Sequence, residues 1–450
     1  MRIAEMQFPF SGEASRRELL RAGSLALASV GLADVLRRQA EANPVKPQRQ
    51  KSVIMVHLLG GPSHIDMYDM KPSAPDEYRG EFLPVASTVP GLEMCELMPQ
   101  QAQIADKLAI VRGIRFCGAH DTYQLLSGYR ERPVTTGTVG KKPRPAFGCV
   151  VSQLFGERSR SIPPYVSLGD LRLLRGYEEI ETPAYLGPAH APFRVDGPGH
   201  ENLTLNGVTP QRFRDRQSMM SSLDLARRHV DSAYDNVAAT DQFRAQALEI
   251  LASTKTRDAF DISQEPQAVR DSYGGYDEFL QARRLVEAGV PVVTLPARFP
   301  VRVPGAPDPG GWDTHAYNFK LLKEKLPRYD HAIAALIKDL SQRGLLDDTA
   351  IVVWGEFGRR PKIGNVTPDG RSHWPAAGFA LLAGGGLKTG QVIGETDRLG
   401  EAATGNPYVP SNILATLYHV LGISLNQTLP DHAGRPQFLL DEREPLHQLL

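Results

Sequence analysis

Short apolar, β-branched runs that stop abruptly at glycine or at a polar loop narrow the fold of this chain more than any other feature. Ser52 to Leu59 ends at Gly60-Gly61, and Leu108 to Arg112, Val290 to Leu295, Thr349 to Trp354 and Phe379 to Ala383 are of the same kind. Runs of this length without polar alternation suit strands buried on both faces, as in parallel sheets. Helical periodicities lie between them. Phe319 to Gln342 places Phe319, Leu322, Leu326, Ile333, Leu336, Ile337 and Leu340 on one face, with Lys, Glu and Arg opposite, and Gly344 supplies a stop. Pro410-Ser411 open a second helix whose apolar side includes Ile413, Leu414, Leu417 and Leu421. Strands alternating with helices predict an α/β fold, a mostly parallel sheet sandwiched by helices. In such sheets the chemistry belongs in loops at the carboxyl ends of the strands.

Composition removes several function classes. The 51 Lys plus Arg are balanced by 51 Asp plus Glu, and 41% of the 450 residues are hydrophobic. A chain with that hydrophobic content and no charge imbalance is not intrinsically disordered. Nor has it the basic surplus that neutralises phosphates, which argues against a nucleic-acid partner. Cys95, Cys117 and Cys149 are an odd set with no C-x-x-C pair, which excludes a zinc ribbon and leaves three small buried residues as the plain expectation.

The amino-terminal stretch reads as an address. Arg16-Arg17 precede a mildly apolar run, Ala22 to Ala33, followed by a polar, proline-bearing stretch to Lys51. Adjacent arginines before a weakly hydrophobic Gly/Ala/Ser segment fit a twin-arginine export signal. The run is far short of the ~20 residues a membrane-spanning helix needs. The expected organisation is a signal and linker over residues 1–50, then a single α/β domain over 51–450. Loop-rich and helical insertions are expected at about 130–270, from Pro133–Pro145, Glu157–Pro210 and Arg212–Thr256. The mature protein is expected in the periplasm or outside the cell, with the twin-arginine machinery as a partner and no transmembrane segment. Because that route exports folded proteins, it favours one that takes up a metal before export.

Five loops concentrate the chemistry. The first, after the Ser52 run, carries Ser63, His64, Asp66, Asp69 and Lys71; Ser63 and Asp66 equally suit the cap of a short helix. The second carries Cys117, His120, Asp121 and Thr122 ahead of a short apolar helix, where Asp121 or Thr122 also reads as a cap. The third, Gly310-Gly311-Trp312-Asp313-Thr314-His315, offers a carboxylate and an imidazole to one cation, a mixture Zn²⁺ and Mn²⁺ accept. The fourth follows the strongest strand with Glu356, Phe357, Arg359, Arg360 and Lys362; its arginines suit an anion, and equally a solvated basic loop. The fifth, Asp369-Gly370-Arg371-Ser372-His373-Trp374-Pro375, places His373 just before the Phe379 strand.

The order of these motifs resembles the alkaline phosphatase and sulfatase superfamily. More closely, GGPSHIDMYDMKP, GGWDTHAYN, GEFGRRPKI, GRSHWP and the twin-arginine start resemble the exported family labelled domain of unknown function 1501, over nearly the whole mature chain. The resemblance implies a metal-dependent hydrolase of phosphate or sulfate esters, with an anionic ester substrate such as a sulfated or phosphorylated glycan. It implies a divalent cation (Zn, Mn, Ca or Mg) held by Asp313, His315 and His373. Glu356 stands for the aspartate of an Asp-His-Gly triplet whose histidine is replaced by Phe357. Gly60 stands where a first-strand aspartate is expected, leaving Asp66 or Asp69 as substitute ligands. Cys117 to Asp121 lacks the Pro and Arg of the sulfatase nucleophile motif. A phosphatase-type hydroxyl, Thr122 or Ser63, is then the nucleophile, with His120 beside it and Arg359 clamping the anion. These departures also support an alternative, a non-catalytic periplasmic or cell-surface binding module on the same fold.

Overall fold

The structure, a computed structural model, describes residues 50–118, 122–130, 143–156, 162–169, 181–194 and 254–450. The twin-arginine segment, His120, Asp121 and most of the stretch expected as insertions lie outside the described residues. Gln50–Leu450 form one compact unit, and no described helix is long and apolar enough to cross a membrane.

The five apolar runs form strands of one sheet, β1 Ser52–His57, β2 Leu108–Arg112, β5 Val292–Pro296, β6 Thr349–Trp354 and β9 Phe379–Gly384, and three short strands that no such run marked extend it, β3 Tyr165–Ser167, β4 Phe193–Arg194 and β10 Gln391–Ile393. A two-stranded ribbon, β7 Gly358–Arg359 and β8 His373–Trp374, stands apart. The sheet order is β10-β2-β9-β6-β1-β5-β3-β4. Neighbours pair in parallel throughout except at β9, which runs antiparallel to both β2 and β6. Central β1 is buried along its whole length and pairs Val53 with Val292 on one side and Val53 with Ala350 on the other. That double burial is why the run lacks alternation. The loop after β1 turns at once into a single-turn helix, α1 (His64–Met67), which is itself buried.

Alternate residues of each strand feed two cores. Ile54, Val56, Val293, Ile351, Val353 and Leu381 pack toward α4 (Asp277–Ala288) and α5 (Asn318–Gln342). Val53, Met55, Val292, Val352 and Leu382 pack toward α2 (Thr122–Ser127), α3 (Phe147–Phe155) and α6 (Pro410–Val420). The predicted apolar face of α5 is buried throughout. Its polar face is not uniformly solvated: Lys325 is 1% exposed, with Nζ 2.8 Å from Asp308 and 3.1 Å from the Phe299 carbonyl. Pro327 sits inside α5 without ending it. Of the cysteines, Cys95 and Cys149 are buried as expected, whereas Cys117 is exposed, and none forms a disulfide among the described residues.

The reversed strand decides where one of the five loops arrives. Because β9 begins where its parallel neighbours end, the loop leading into it reaches their carboxyl edge. His373 is thereby delivered to the same rim as the loops after β1, β5 and β6.

Candidate metal centre

The loops are brought to the rim by main-chain ties. After β1, Leu58 N–H donates to the Trp354 carbonyl at 2.8 Å, and Trp312 N–H donates to the Leu59 carbonyl at 2.9 Å. The Trp312 indole donates back to the Ala297 carbonyl at 2.8 Å, folding the loop after β5 over the end of β1. Arg371 N–H donates to the Thr314 carbonyl at 3.1 Å, joining the β5 loop to the β8 loop. Two glycines permit this approach. Gly60 adopts φ +103°, and a Cβ there would lie 2.7 Å from the Asp313 nitrogen; a Cβ at Gly370 would lie 1.8 Å from the His315 carbonyl oxygen. The position expected to hold a first-strand aspartate therefore has no room for a side chain.

Asp313, His315 and His373 converge. His315 Nε2 and His373 Nε2 each lie 3.1 Å from Asp313 Oδ1 and 2.8 Å from one another. The two imidazoles meet edge to face at 4.3 Å between ring centres, and the Phe357 ring lies 4.6 Å from that of His373. Phe357, where the superfamily pattern has a ligand histidine, thus acts as an apolar wall. All three ligand candidates are partly open to solvent. Burial pushes the Asp313 carboxyl up, but the hydrogen bond with His373 and the Arg359 guanidinium outweigh it and hold the group well below the ordinary carboxylate range.

The remaining sequence candidates have other partners. Arg359 is fully buried, with Nε donating to the Gly61 carbonyl at 2.8 Å, Nη1 to the Arg371 carbonyl at 3.2 Å, and Nη2 to the Gly60 carbonyl and Asp313 Oδ1. Its donors are committed to the protein, so the expectation of a substrate clamp gives way to a positioning role. Asp66 lies outside the cluster as well. Its carboxylate takes Arg371 Nε and Nη2 at 2.8 and 2.9 Å, Asn318 Nδ2 at 2.9 Å and Ser63 Oγ at 2.6 Å. The Ser63 hydroxyl is thereby used, and Ser63 does stand at the N-cap of α1, without a side-chain cap bond. Asp69 is tied to Lys71 at 2.9 Å and to the Thr396 hydroxyl. Glu356 is buried and accepts the Gly60 N–H at 2.8 Å, fixing the β1 loop rather than joining the three ligands. Thr122 opens α2 as expected; its side chain lies outside the described residues.

Two residues absent from the sequence-based candidates complete the surroundings. Asn365 Nδ2 lies 2.6 Å from His315 Nδ1, and Arg371, which in sequence belongs only to a turn, carries the buried Asp66 pair. Asn365 left no signal beyond a loop dense in turn formers. Nor did Arg371, since the burial of Asp66 that calls for it is a tertiary fact.

The donor set suits a cation. One carboxylate oxygen and two imidazole nitrogens lie within 4.8 Å of one another. Ligands on 2.0–2.1 Å bonds in a tetrahedral site stand about 3.4 Å apart. The observed 2.8–3.1 Å separations need only a slight expansion to accept one.

A family model described as "Protein of unknown function (DUF1501)" matches residues 50–450. A search of curated proteins found no match. Among solved structures, the chain is similar to the PsFucS1 sulfatase from Pseudoalteromonas sp., at 12% identity over 91% of this chain and 72% of that one, with a TM-score of 0.34. It is similar to the phosphonate monoester hydrolase SpPMH from Silicibacter pomeroyi, at 15% identity over 84% and 74%, with a TM-score of 0.35. A protein in the alkaline phosphatase superfamily from Vibrio parahaemolyticus is similar at 11% identity over 83% and 67%, also with a TM-score of 0.35.

Proposed function

The chain belongs to the family of proteins of unknown function DUF1501, and from its rim cluster we propose an exported metal-dependent hydrolase of phosphate or sulfate esters. The observation that carries this reading is the meeting of Asp313 Oδ1 and His315 Nε2 from one loop with His373 Nε2 from another, 60 and 58 residues further along the chain. Helix or turn chemistry does not require two imidazole nitrogens 2.8 Å apart facing one carboxylate oxygen. A shared cation accounts for it.

Asp313, His315 and His373 would hold the metal, whose contribution is to polarise an ester oxygen and lower the pKa of a bound hydroxyl or water. The two imidazole donors favour Zn²⁺ over Ca²⁺ or Mg²⁺, and the carboxylate is the donor that suits Mn²⁺. The chain's own residues prepare the site. Arg359 keeps Asp313 ionised and aimed. With the Asn365 amide turned so that its oxygen accepts from His315 Nδ1–H, the Nε2 lone pair is left facing the cluster. Phe357 walls His373 against water on one side. Thr122 and His120 remain the candidates for attack and proton transfer. The anionic substrate class rests on the motif resemblance to the alkaline phosphatase and sulfatase superfamily, a glycan ester being one member of it.

The test is elemental analysis of purified protein, followed by assay of aryl phosphate, phosphodiester and sulfate esters after loading with Zn²⁺ or Mn²⁺. One metal per chain and turnover abolished by Asp313→Asn are expected. Absence of stoichiometric metal from both proteins would instead identify the binding-module alternative. Export is tested separately: Arg16→Lys/Arg17→Lys should hold the chain in the cytoplasm, and equal export of both forms would remove that part of the reading.

A further inference from the structure

A second site lies along the carboxyl edge, at the end of β2. The two ends of the segment between β10 and α6, Gly394-Glu395 and Ala403 to Tyr408, line with Arg112 and Gly113 a half-open cavity of about 360 Å³. Arg112, Glu395, Thr404, Asn406 and Tyr408 supply its polar and aromatic lining. That volume lies at the small end of the ~300–1,000 Å³ usual for ligand sites.

The walls are built by internal bonds. Asp397 Oδ1 accepts the N–H groups of Leu399 and Glu401, each at 3.0 Å, and Thr404 N–H donates to the Glu395 carbonyl at 3.0 Å. Arg115 N–H donates to the Tyr408 carbonyl at 2.8 Å, and Gln448 Nε2 donates to the Tyr408 hydroxyl at 3.1 Å. Beneath the cavity, Arg112 is held loosely. Its Nε makes no hydrogen bond among the described residues and lies 3.7 Å from Asp69 Oδ1, while Nη2 reaches the Glu93 carbonyl only at 3.5 Å. The guanidinium belongs to the cavity lining, while its Nε is shut away beneath it on the Asp69 side.

Charge decides what kind of acceptor. Arg112 Nε lies 3.7 Å from Asp69 Oδ1, and the one other charged side chain of the lining is the Glu395 carboxylate. The cavity therefore carries no surplus positive charge with which to hold a phosphate or sulfate. Its lining instead mixes a donor (Arg112), an acceptor (Glu395) and groups that do both (Thr404, Asn406) beside a tyrosine ring. Such a set matches hydroxyl groups, each of which donates and accepts, with a ring edge for apolar C–H groups. We propose that this cavity binds an uncharged polyhydroxylated ligand, one sugar ring in size. Binding there draws on the cavity's own lining and does not depend on catalysis at Asp313. The position suits the uncharged part of a larger substrate. The Trp374 indole, next to the candidate ligand His373, donates to the Glu401 carbonyl of the cavity loop at 2.6 Å.

Glucose, galactose, mannose, fucose and N-acetylglucosamine are titrated into the full chain, with binding read by ligand-observed NMR and calorimetry. Saturable binding of at least one, with a dissociation constant on the order of a millimolar, is expected. Thr404→Ala/Asn406→Ala should weaken it about tenfold or more. Gly405→Phe should do the same by filling space, since a Cβ at Gly405 meets nothing within 4 Å. Asp313→Asn should bind the sugar as the wild type does even where its metal is lost, which separates this proposal from the catalytic one. The proposal is overturned if no neutral sugar binds, if both cavity variants bind unchanged, or if inorganic sulfate displaces the sugar.

Discussion

Two clusters of charge in this molecule use similar residues to opposite ends. Against α4 and α5, Arg283 Nη1 pairs with Glu265 at 2.9 Å and Glu287 at 2.6 Å, and its Nε lies 2.8 Å from Asp339. Arg343 closes the network on Asp339 at 2.7 Å and Glu265 at 3.1 Å. Each carboxylate there meets guanidinium groups, and two of the pairs are i,i+4 neighbours, one within α4 and one at the carboxyl end of α5. On the rim, a single carboxylate oxygen is met by one guanidinium and two imidazole nitrogens that also crowd each other. The helical cluster is internally matched, so adding a cation would gain nothing. On the rim, a cation would give two lone pairs and a carboxylate one shared target. Counting charged residues does not separate these regions; which donors face which acceptors does.

The contrast can be broken by exchanging the expected losses. Asp313→Asn keeps an oxygen for Arg359 but removes the ligand charge. Metal affinity should fall by more than about a hundredfold while thermal unfolding changes little, measured by elemental analysis and calorimetry. Arg283→Ala should do the reverse: a loss of about 3 kcal/mol in stability, read from denaturant unfolding, with metal content intact. If Arg283→Ala also stripped the metal, the two regions would not be independent.

Acid sharpens the comparison. Burial pushes the Glu265 carboxyl up, but hydrogen bonds and charges from Arg283, Arg284 and Arg343 outweigh it and bring it from 4.5 to about 2. A carboxyl depressed by folding contributes stability above pH 4.5 that is lost as pH falls through about 2. After solvent screening, roughly 2 kcal/mol of the helical cluster's contribution should disappear in that window. Glu265→Gln should flatten the decline in urea midpoint there. The smallest effect is expected at Asn365. Asn365→Ala removes the group that orients His315 and should weaken metal binding by roughly ten- to a hundredfold, seen by competition with a chelator. An unchanged affinity would leave His315 to be positioned by Asp313 and His373 alone.

The three residues that converge on the rim were singled out in sequence because Asp313 and His315 share a loop after a strand, and His373 precedes one. The roles of their neighbours were not. Asp66, Asp69 and Glu356 sit in loops at the correct edge and have the right chemistry, yet each is consumed by another partner: Arg371, Lys71 with Thr396, and the Gly60 N–H. Arg359 reads as an anion-binding residue until its buried donors are followed to Gly60, Gly61, Arg371 and Asp313. A carboxylate's function depends on what reaches it first, and that is a property of packing.

Local pattern was enough to determine the five central strands, helices α5 and α6 and the α/β class, because strand burial and helix amphipathicity are written in the spacing of neighbouring residues. The short strands β3, β4 and β10 and the helix α4 were not marked in this way. Strand order, the single reversed strand β9 and the competition among five loops for partners were decided only by the tertiary structure. Those outcomes depend on contacts between residues far apart in the chain, such as Arg371 with Asp66 at |i−j| = 305, and no spacing within a segment encodes which distant donor will win.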